Sequence, residues 1–210
     1  MINLHSTKKL LAKLPVDEQG FLPEQAKTKY LSERIIEQNP LSGWHGNLLI
    51  LQRRNCVLLM HDATRFPLFI PCLTKPDFSN LDALFIDSLM NTLLKCGATE
   101  AQLGAAQKYL SCLSIDTDCN RSVQGIMNQM KGDIEHMLWF DNVDVADLSG
   151  YRAGVWLSDR PCNVKGKKGC IWPKEAMLEL LDSFAEADEV QGELSVLPSN
   201  VVSMADYHKK

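Results

Sequence analysis

The apolar positions of residues 122–139 recur at the spacing of one helix face. Seven of them share a stripe that advances by about 100° per residue: Val123, Ile126, Met127, Met130, Ile134, Met137 and Leu138. Such a stripe needs an apolar surface to cover it. We therefore predict an amphipathic helix from Ser122 to about Trp139 that packs against the core of the protein.

Period-two alternation and short apolar runs predict a small sheet in the N-terminal half. Four segments carry this pattern: residues 2–7, 46–52, 56–61 and 66–72. Residues 53–55 separate the second and third segments and suit a hairpin turn. Pro67 and Pro71 cannot donate ladder hydrogen bonds, so the last segment is predicted at a sheet edge.

Helix start and stop signals punctuate the rest of the chain. Ser79 is predicted to cap a helix that ends at Gly97. Thr99 and Gln102 have the spacing of a capping box, which predicts a helix to about Leu113. Further short elements are predicted at residues 8–14 (helix), 114–115 (strand) and from Pro173 onward (helix).

These elements predict an α+β fold with a small antiparallel sheet, made of the N-terminal strand plus a three-strand meander. The sheet packs against a helical C-terminal half. Residues 1–180 are predicted to form a single domain, in which the polar stretch 15–44 is an insertion or arm. Residues 181–210 are predicted to form an acidic, loose tail.

Composition narrows the class of protein. Hydrophobic residues make up 45% and charged residues 23%, so a wholly disordered chain is excluded. The net charge of −4 argues against bulk coating of nucleic acid but allows a local basic patch. No apolar run reaches the length of a membrane span, and no signal-peptide pattern opens the chain. Seven irregularly spaced cysteines predict reduced thiols in a cytoplasmic protein.

The stretch DTDCNRSVQGIMNQM, residues 116–130, crowds polar chemistry into the start of the strongest helix. One of Asp116–Asp118 is predicted to cap that helix through a side-chain oxygen. The first turn carries partial positive charge, and Asn120, Arg121 and Ser122 add further donors, so the corner suits a phosphate or carboxylate. Alternatively, these side chains only pin the loop to the helix.

Other turns offer the same anion-binding chemistry. The segment Ser6-Thr7-Lys8-Lys9 joins a predicted strand to a helix, and HDATR, residues 61–65, joins two predicted strands. The candidate ligand-binding residues are Lys8, Thr64, Arg65, Asn120, Arg121, Ser122 and Asn128. A basic stretch without acids also lies at residues 160–174 and contains Arg160, Lys165, Lys167, Lys168 and Lys174. It indicates either a polyanionic partner or a solvated loop.

Three residues are candidate catalytic groups. Cys119 lies beside Arg121 at a helix start, which predicts a lowered thiol pKa and a nucleophile. His61 or His136 would be the base. His136 could instead pair with Asp133 on the helix surface.

Motif and spacing searches leave the question of catalysis open. The chain has no P-loop, GxGxxG, HExxH or GxSxG motif. The pairs Cys112/Cys119 and Cys162/Cys170 are too widely spaced for a zinc ribbon, so no metal site is predicted. No cofactor is predicted either.

Gly125 and Gly132 lie on the predicted helix away from its apolar stripe. Each costs about 1 kcal/mol of helix propensity relative to alanine. Their shared face would let another backbone approach closely, which suggests a homodimer contact through this face.

Three blocks resemble an uncharacterised bacterial family, a domain of unknown function found in small stand-alone proteins. They are MINLHSTKKLLAKLP, LSGWHGNLLILQRRNCVLLMHDATRFPLFIP and TDCNRSVQGIMNQM, with the motifs TKKLL, TRF and NRSxxGxMN. The resemblance spans about residues 1–140. It implies cargo of plasmids and other mobile elements, with a defence or toxin–antitoxin accessory role. The family brings no established catalytic residues.

The leading hypothesis from these residues is a cytoplasmic protein that binds a nucleotide or nucleic acid. A small hydrolase or nuclease with His and Arg chemistry is the enzyme alternative, and a homodimeric interaction module is the third. Basic residues converging in one cleft would favour the first hypothesis. A histidine near Cys119 or a carboxylate in that cleft would favour the second, and a flat apolar patch around the two glycines the third.

Overall fold

A five-stranded sheet with the order β4-β3-β2-β1-β5 lies at the centre of the computed structural model. Its strands are β1 (Ile2–Ser6), β2 (Trp44–Leu51), β3 (Arg54–His61), β4 (Pro67–Leu73) and β5 (Leu113–Asp116). Two further strands, β6 (Cys162–Asn163) and β7 (Cys170–Ile171), pair separately. The structure describes residues 1–23, 39–164 and 169–196, without the side chains of residues 185–196.

Seven α-helices accompany these strands in the described part of the chain. They are α1 (Lys8–Leu11), α2 (Lys75–Ser79), α3 (Leu81–Lys95), α4 (Glu100–Tyr109), α5 (Arg121–Phe140), α6 (Gly150–Ser158) and α7 (Pro173–Val196). A short 3-10 helix at Val145–Asp147 follows α5. None of the described helices is long and apolar enough to cross a membrane.

The sheet is mixed. β2, β3 and β4 form the predicted antiparallel meander, and β4 lies at the edge, as its two prolines require. β1 instead pairs in parallel with both β2 and β5. The predicted α+β class and helical C-terminal half are confirmed. The sheet is not wholly antiparallel, because the long connection after β1 brings the chain back to the end of the sheet where β1 starts, so that β2 runs parallel to β1.

Each face of the sheet carries its own apolar core. One core joins Val57 and Leu59 of β3 to α1, α3, α4 and α7. The other joins Leu58 and Met60 to the buried stripe of α5 and to α6. Because β3 is covered on both sides, its sequence is an unbroken apolar run rather than an alternation. The prediction that α5 packs its stripe against the core is confirmed.

Several predicted boundaries are corrected. The β2–β3 turn is at Gln52 and Arg53, which adopt positive φ, rather than at residues 53–55. Ser79 ends α2 instead of capping α3. The capping box of Thr99 is confirmed, but α4 ends at Tyr109.

Residues 181–196, predicted to belong to a loose tail, continue α7 and bury Leu181 and Phe184. Residues 197–210 and most of the predicted arm, residues 24–38, lie outside the described part of the chain. The flanks of the arm pack into the core through Leu22 and Leu41.

The glycines of α5 face open space. A Cβ added at Gly125 or Gly132 would meet no described heavy atom within 4 Å. No neighbouring element therefore explains these two glycines within the monomer, and the predicted dimer contact stays a prediction. The seven cysteines are all free.

Candidate functional site

Three adjacent strands place two histidines and an aspartate in one row. In the parallel register, His5 of β1 lies beside His45 of β2 on one side and beside Asp116 of β5 on the other. Residues in register share a face of the sheet. His45 also pairs with Met60, so the row lies on the face that α5 covers. Asp62, which follows β3 directly, completes the cluster.

His45 is a buried connector. Its Nδ1 donates to Asp62 Oδ1 at 2.5 Å, and its Nε2 accepts the Asn120 amide hydrogen at 2.6 Å. The imidazole is 2% exposed. Because Nε2 accepts a hydrogen bond, the proton of the neutral ring lies on Nδ1. Both ring nitrogens are occupied, so His45 ties the end of β3 to the start of α5 and has none left for a ligand.

His5 has one ring nitrogen to spare. Its Nδ1 donates to Asp116 Oδ1 at 2.7 Å, while its Nε2 lies 3.9 Å from Asp62 Oδ2, beyond hydrogen-bond distance. The side chain is 19% exposed. Asp116 also accepts the Asp118 amide hydrogen at 2.8 Å, which holds the carboxylate in place. This is an oriented acid–imidazole pair whose outer nitrogen can accept a proton.

The start of α5 forms another wall of the site. Asn120 is its N-cap, because the Ser122 amide donates to Asn120 Oδ1 at 2.8 Å. The prediction that one of Asp116–Asp118 caps this helix is wrong, since Asp116 is engaged with His5 and the Asp118 amide. A helix of 20 residues leaves first-turn amides and partial positive charge at this end.

These groups surround a cavity of about 430 Å³. It is lined by His5, His45, Asp62, Asp118, Cys119, Asn120 and Arg121. The lining is almost wholly polar and carries charges of both signs. Arg121 provides the guanidinium at the rim, and the carboxylate of Asp62 is hydrogen-bonded to an imidazole.

The predicted ligand-binding residues divide into three groups. Asn120 and Arg121 line the cavity. Ser122, the next residue of α5, is half-buried and is not part of the lining. Thr64 and Arg65 are buried beneath it rather than lining it. Lys8 and Asn128 are exposed and line no part of this cavity.

Arg65 supports the turn that carries Asp62. Its guanidinium Nη1 donates to the Asp62 carbonyl oxygen, and burial lowers the pKa of the guanidinium. The residue has φ 61°, a left-handed conformation that a long side chain rarely adopts. Arg65 therefore supports the turn after β3 without lining the cavity. This turn is connected to the start of α5 through Asp62, which bonds His45.

Cys119 lines the cavity but is not an activated thiol. Burial raises its pKa, the carboxylates of Asp116 and Asp118 add to the rise, and its Sγ donates to the His5 carbonyl oxygen at 3.6 Å. The predicted lowered pKa is wrong, because burial and then the carboxylates around the thiol disfavour a thiolate.

His61 and His136 both lie away from the cavity. His61 is 1% exposed, bonds Thr64 Oγ1 through Nδ1 at 2.9 Å and packs on Trp44. His136 is exposed and stacks on Phe140, about 22 Å along α5 from Arg121 at 1.5 Å per residue. Neither can be the base for Cys119. The alternative pairing of His136 with Asp133 is not formed either, since Asp133 binds Arg160 at 2.6 Å.

The buried His61 predicts a specific loss of stability in acid. Desolvation lowers its pKa to about 4 from the usual 6.5. The unfolded chain then binds this proton more readily, so stability is full above pH 6.5 and declines as the pH falls toward 4. Between pH 7 and pH 5 the wild type should lose about 2 kcal/mol of unfolding free energy on this account.

Urea unfolding of wild type and His61→Gln at both pH values checks this effect. The variant should lose about 2 kcal/mol less than the wild type over the same interval. Equal losses in the two proteins would contradict a neutral, buried His61.

The basic stretch at 160–174 is partly neutralised where it is described. Arg160 binds Asp133, and Lys174 Nζ binds Asp159 Oδ1 at 3.1 Å. Lys165, Lys167 and Lys168 lie outside the described residues. Within the described ranges, no group of three or more His, Cys, Asp and Glu side chains is arranged to hold a metal ion.

Sequence reasoning missed His5, His45 and Asp62, which form the centre of the site. His5 is a polar residue within β1, and His45, in the segment GWHGN, is a polar residue within β2. A polar residue on a covered strand face is the available signal. It gains meaning only once the strand order puts the two histidines side by side.

Comparison with known proteins gives one match. The model of a family described as "Domain of unknown function (DUF6933)" matches residues 3–176. These residues include the whole cavity lining and, apart from Ile2 at the start of β1, the strands of the described chain. No curated protein and no solved structure matches the chain.

Proposed function

Because the chain belongs to this family of domains of unknown function, we propose an activity from the site itself: hydrolysis of a phosphate ester. The ester's phosphate would lie at the start of α5 beside Arg121, and His5 would act as general base. One observation carries the proposal. Nε2 of His5 has no hydrogen-bond partner among the described residues and lies at a polar cavity, while Asp116 holds the other nitrogen.

The start of α5 supports the phosphate-binding half. Apart from the Ser122 amide, which donates to the Asn120 cap, its first-turn amides and the Arg121 guanidinium are donors for an anion. The carboxylates of the lining, Asp62 and Asp118, oppose an anion, but Asp62 accepts an imidazole hydrogen bond from His45. The phosphate is therefore expected on the Arg121 side, away from Asp62.

The His5–Asp116 pair supports the catalytic half. A water molecule at Nε2 gives its proton to the imidazole, and its oxygen forms the new bond to phosphorus. The bond from phosphorus to the ester oxygen breaks, and that oxygen takes the proton back from His5. Asp116 stabilises the imidazolium in between, and Arg121 stabilises the charge that develops on the phosphate oxygens.

The alternatives have less support. Carboxylates beside two histidines in the same cavity favour acid–base chemistry over a purely basic ligand cleft. A dimer module needs an apolar patch around Gly125 and Gly132, but Asn128 and Gln129 between them are exposed polar residues.

A cleavage assay of the purified protein tests the proposal. Substrates are an aryl phosphodiester, an aryl phosphomonoester, and short single-stranded RNA and DNA, with and without chelator. We expect hydrolysis of at least one ester. Arg121→Ala should lower kcat/KM by about tenfold or more, because it removes a charge-assisted contact. The matched control is Arg54→Ala, an exposed arginine at the β2–β3 turn.

The outcomes separate the two halves of the proposal. Competitive binding of phosphate esters without hydrolysis leaves a binding protein and rules out the catalytic role of His5. Neither binding nor hydrolysis in the wild type overturns the proposal as a whole.

A further inference from the structure

A second cavity, of about 520 Å³, opens between the end of α3 and α6. It is lined by Lys95, Arg152, Val155, Trp156 and Asp159. It shares no lining residue with the cavity at the start of α5. Its combination of an indole with cations is the chemistry that recognises an aromatic anion.

Trp156 is a pre-organised stacking platform. The side chain is 39% exposed, whereas Ala153 and Leu157 of the same helix are buried. The Arg160 guanidinium carbon lies 5.0 Å from the centroid of the indole, and Asp133 Oδ1 holds that guanidinium at 2.6 Å. The ring is thus braced by a residue that is itself anchored to α5. When a flat ligand stacks on the ring, the Trp156 side chain therefore loses little conformational entropy.

The charge of this cavity favours an anion. Lys95 and Arg152 are exposed and form no salt bridge within residues 1–23, 39–164 and 169–196. Asp159 is the carboxylate of the lining, and Lys174 Nζ binds it at 3.1 Å. Two uncompensated cations therefore flank an exposed indole. Although the net charge of the protein is −4, this cavity is a local site for negative charge.

We propose that this cavity binds a nucleotide unit, with its base stacked on Trp156 and its phosphate on Lys95 and Arg152. The site accepts any nucleobase, because every nucleobase offers a flat π face. The phosphate comes either from a free nucleotide or from a single strand of nucleic acid. The inference stands on α6 and α3 alone and does not rest on the hydrolysis proposed for the start of α5.

Titration calorimetry and fluorescence anisotropy test this site with four probes: AMP, adenosine, inorganic phosphate and a labelled single-stranded oligonucleotide. AMP or the oligonucleotide should bind, and adenosine and phosphate should bind at least about tenfold more weakly than the tighter of the two. Trp156→Ala should weaken that binding by about tenfold or more. Trp139→Ala, which removes a 77% exposed indole elsewhere on α5, is the matched control and should change nothing.

Two exposed charges give a second test that leaves the core untouched. Lys95→Ala and Arg152→Ala should each weaken binding and flatten its salt dependence by about 0.7 in log–log slope for a single strand. Lys9→Ala, an exposed lysine outside the cavity, should not. Thermal melting of each variant checks that the fold is intact.

The results decide the matter in either direction. Tighter binding of the oligonucleotide than of AMP identifies a nucleic-acid strand as the source of the ligand, and equal binding identifies the free nucleotide. Absence of binding by the wild type overturns the inference, as does equal loss in Trp156→Ala and Trp139→Ala. Phosphate that binds as tightly as the tighter of AMP and the oligonucleotide overturns it too. A His5→Gln variant that binds normally but hydrolyses nothing would leave the inference in place.

Discussion

The His5→Gln variant should hydrolyse the phosphate ester at least about 100-fold more slowly than the wild type, with a nearly unchanged melting temperature. Removal of a positioned general base typically costs 10²- to 10⁴-fold, roughly, in rate. Glutamine keeps a hydrogen-bond donor for Asp116 but has no nitrogen that accepts a proton. The imidazole is a polar group that lines a polar cavity, so little apolar packing is lost. The measurement is kcat and KM for the best ester, with melting followed by circular dichroism.

Two companion variants separate catalysis from general damage. His136→Gln changes the exposed histidine at the far end of α5 and should leave the rate unchanged. Asp116→Asn should lower kcat more than it raises KM, because it removes the carboxylate that orients His5. A His5→Gln enzyme with the wild-type rate would assign the proton transfer to another group and would remove the central argument for hydrolysis.

Gly150→Ala should destabilise the protein by about 1–3 kcal/mol, although alanine is the better helix former. A Cβ at this position would lie only 2.3 Å from the Phe69 carbonyl oxygen and 2.9 Å from Pro71 Cδ. The clash is with the backbone of β4 at the first residue of α6, so relief requires a shift of the helix. Since α6 carries Trp156, the shift would also disturb the second cavity.

Gly132→Ala is the matched control for this prediction. Its Cβ would meet no described atom, so the variant should be stabilised by about 0.5–1 kcal/mol through helix propensity. Urea unfolding of the two variants and the wild type gives both values. Equal effects at the two positions would contradict the close approach of α6 to β4. A destabilised Gly132→Ala with an altered assembly state would instead support the dimer face.

The elements of this fold followed from local patterns wherever one interaction dominates. The stripe of α5 repeats at helical spacing over its whole length, and the capping box at Thr99 is satisfied by residues only three apart. The prolines of β4 excluded it from the middle of the sheet. Predictions failed where neighbouring signals compete, as at Ser79, which ends one helix just before the next begins.

The candidate site followed from the sequence only in part, for a reason of distance along the chain. The residues at the start of α5 are contiguous, so their chemistry was visible as a cluster: Cys119, Asn120 and Arg121 line the cavity. Their state was not visible. The thiol pKa depends on carboxylates and burial supplied by the folded chain, and Cys119 has a raised pKa where a lowered one was expected.

The sequence by itself determined most of the longer secondary elements, the α+β class and one wall of the cavity, because each depends on residues within a few positions of one another. Only the tertiary structure decided which histidine is available for chemistry. His5 and Asp116 are 111 residues apart, and His45 and Asp62 are 17 apart. Parallel pairing of β1 with both neighbours brings His5 beside His45 and Asp116, and that pairing depends on long-range packing of the sheet faces rather than on any local pattern.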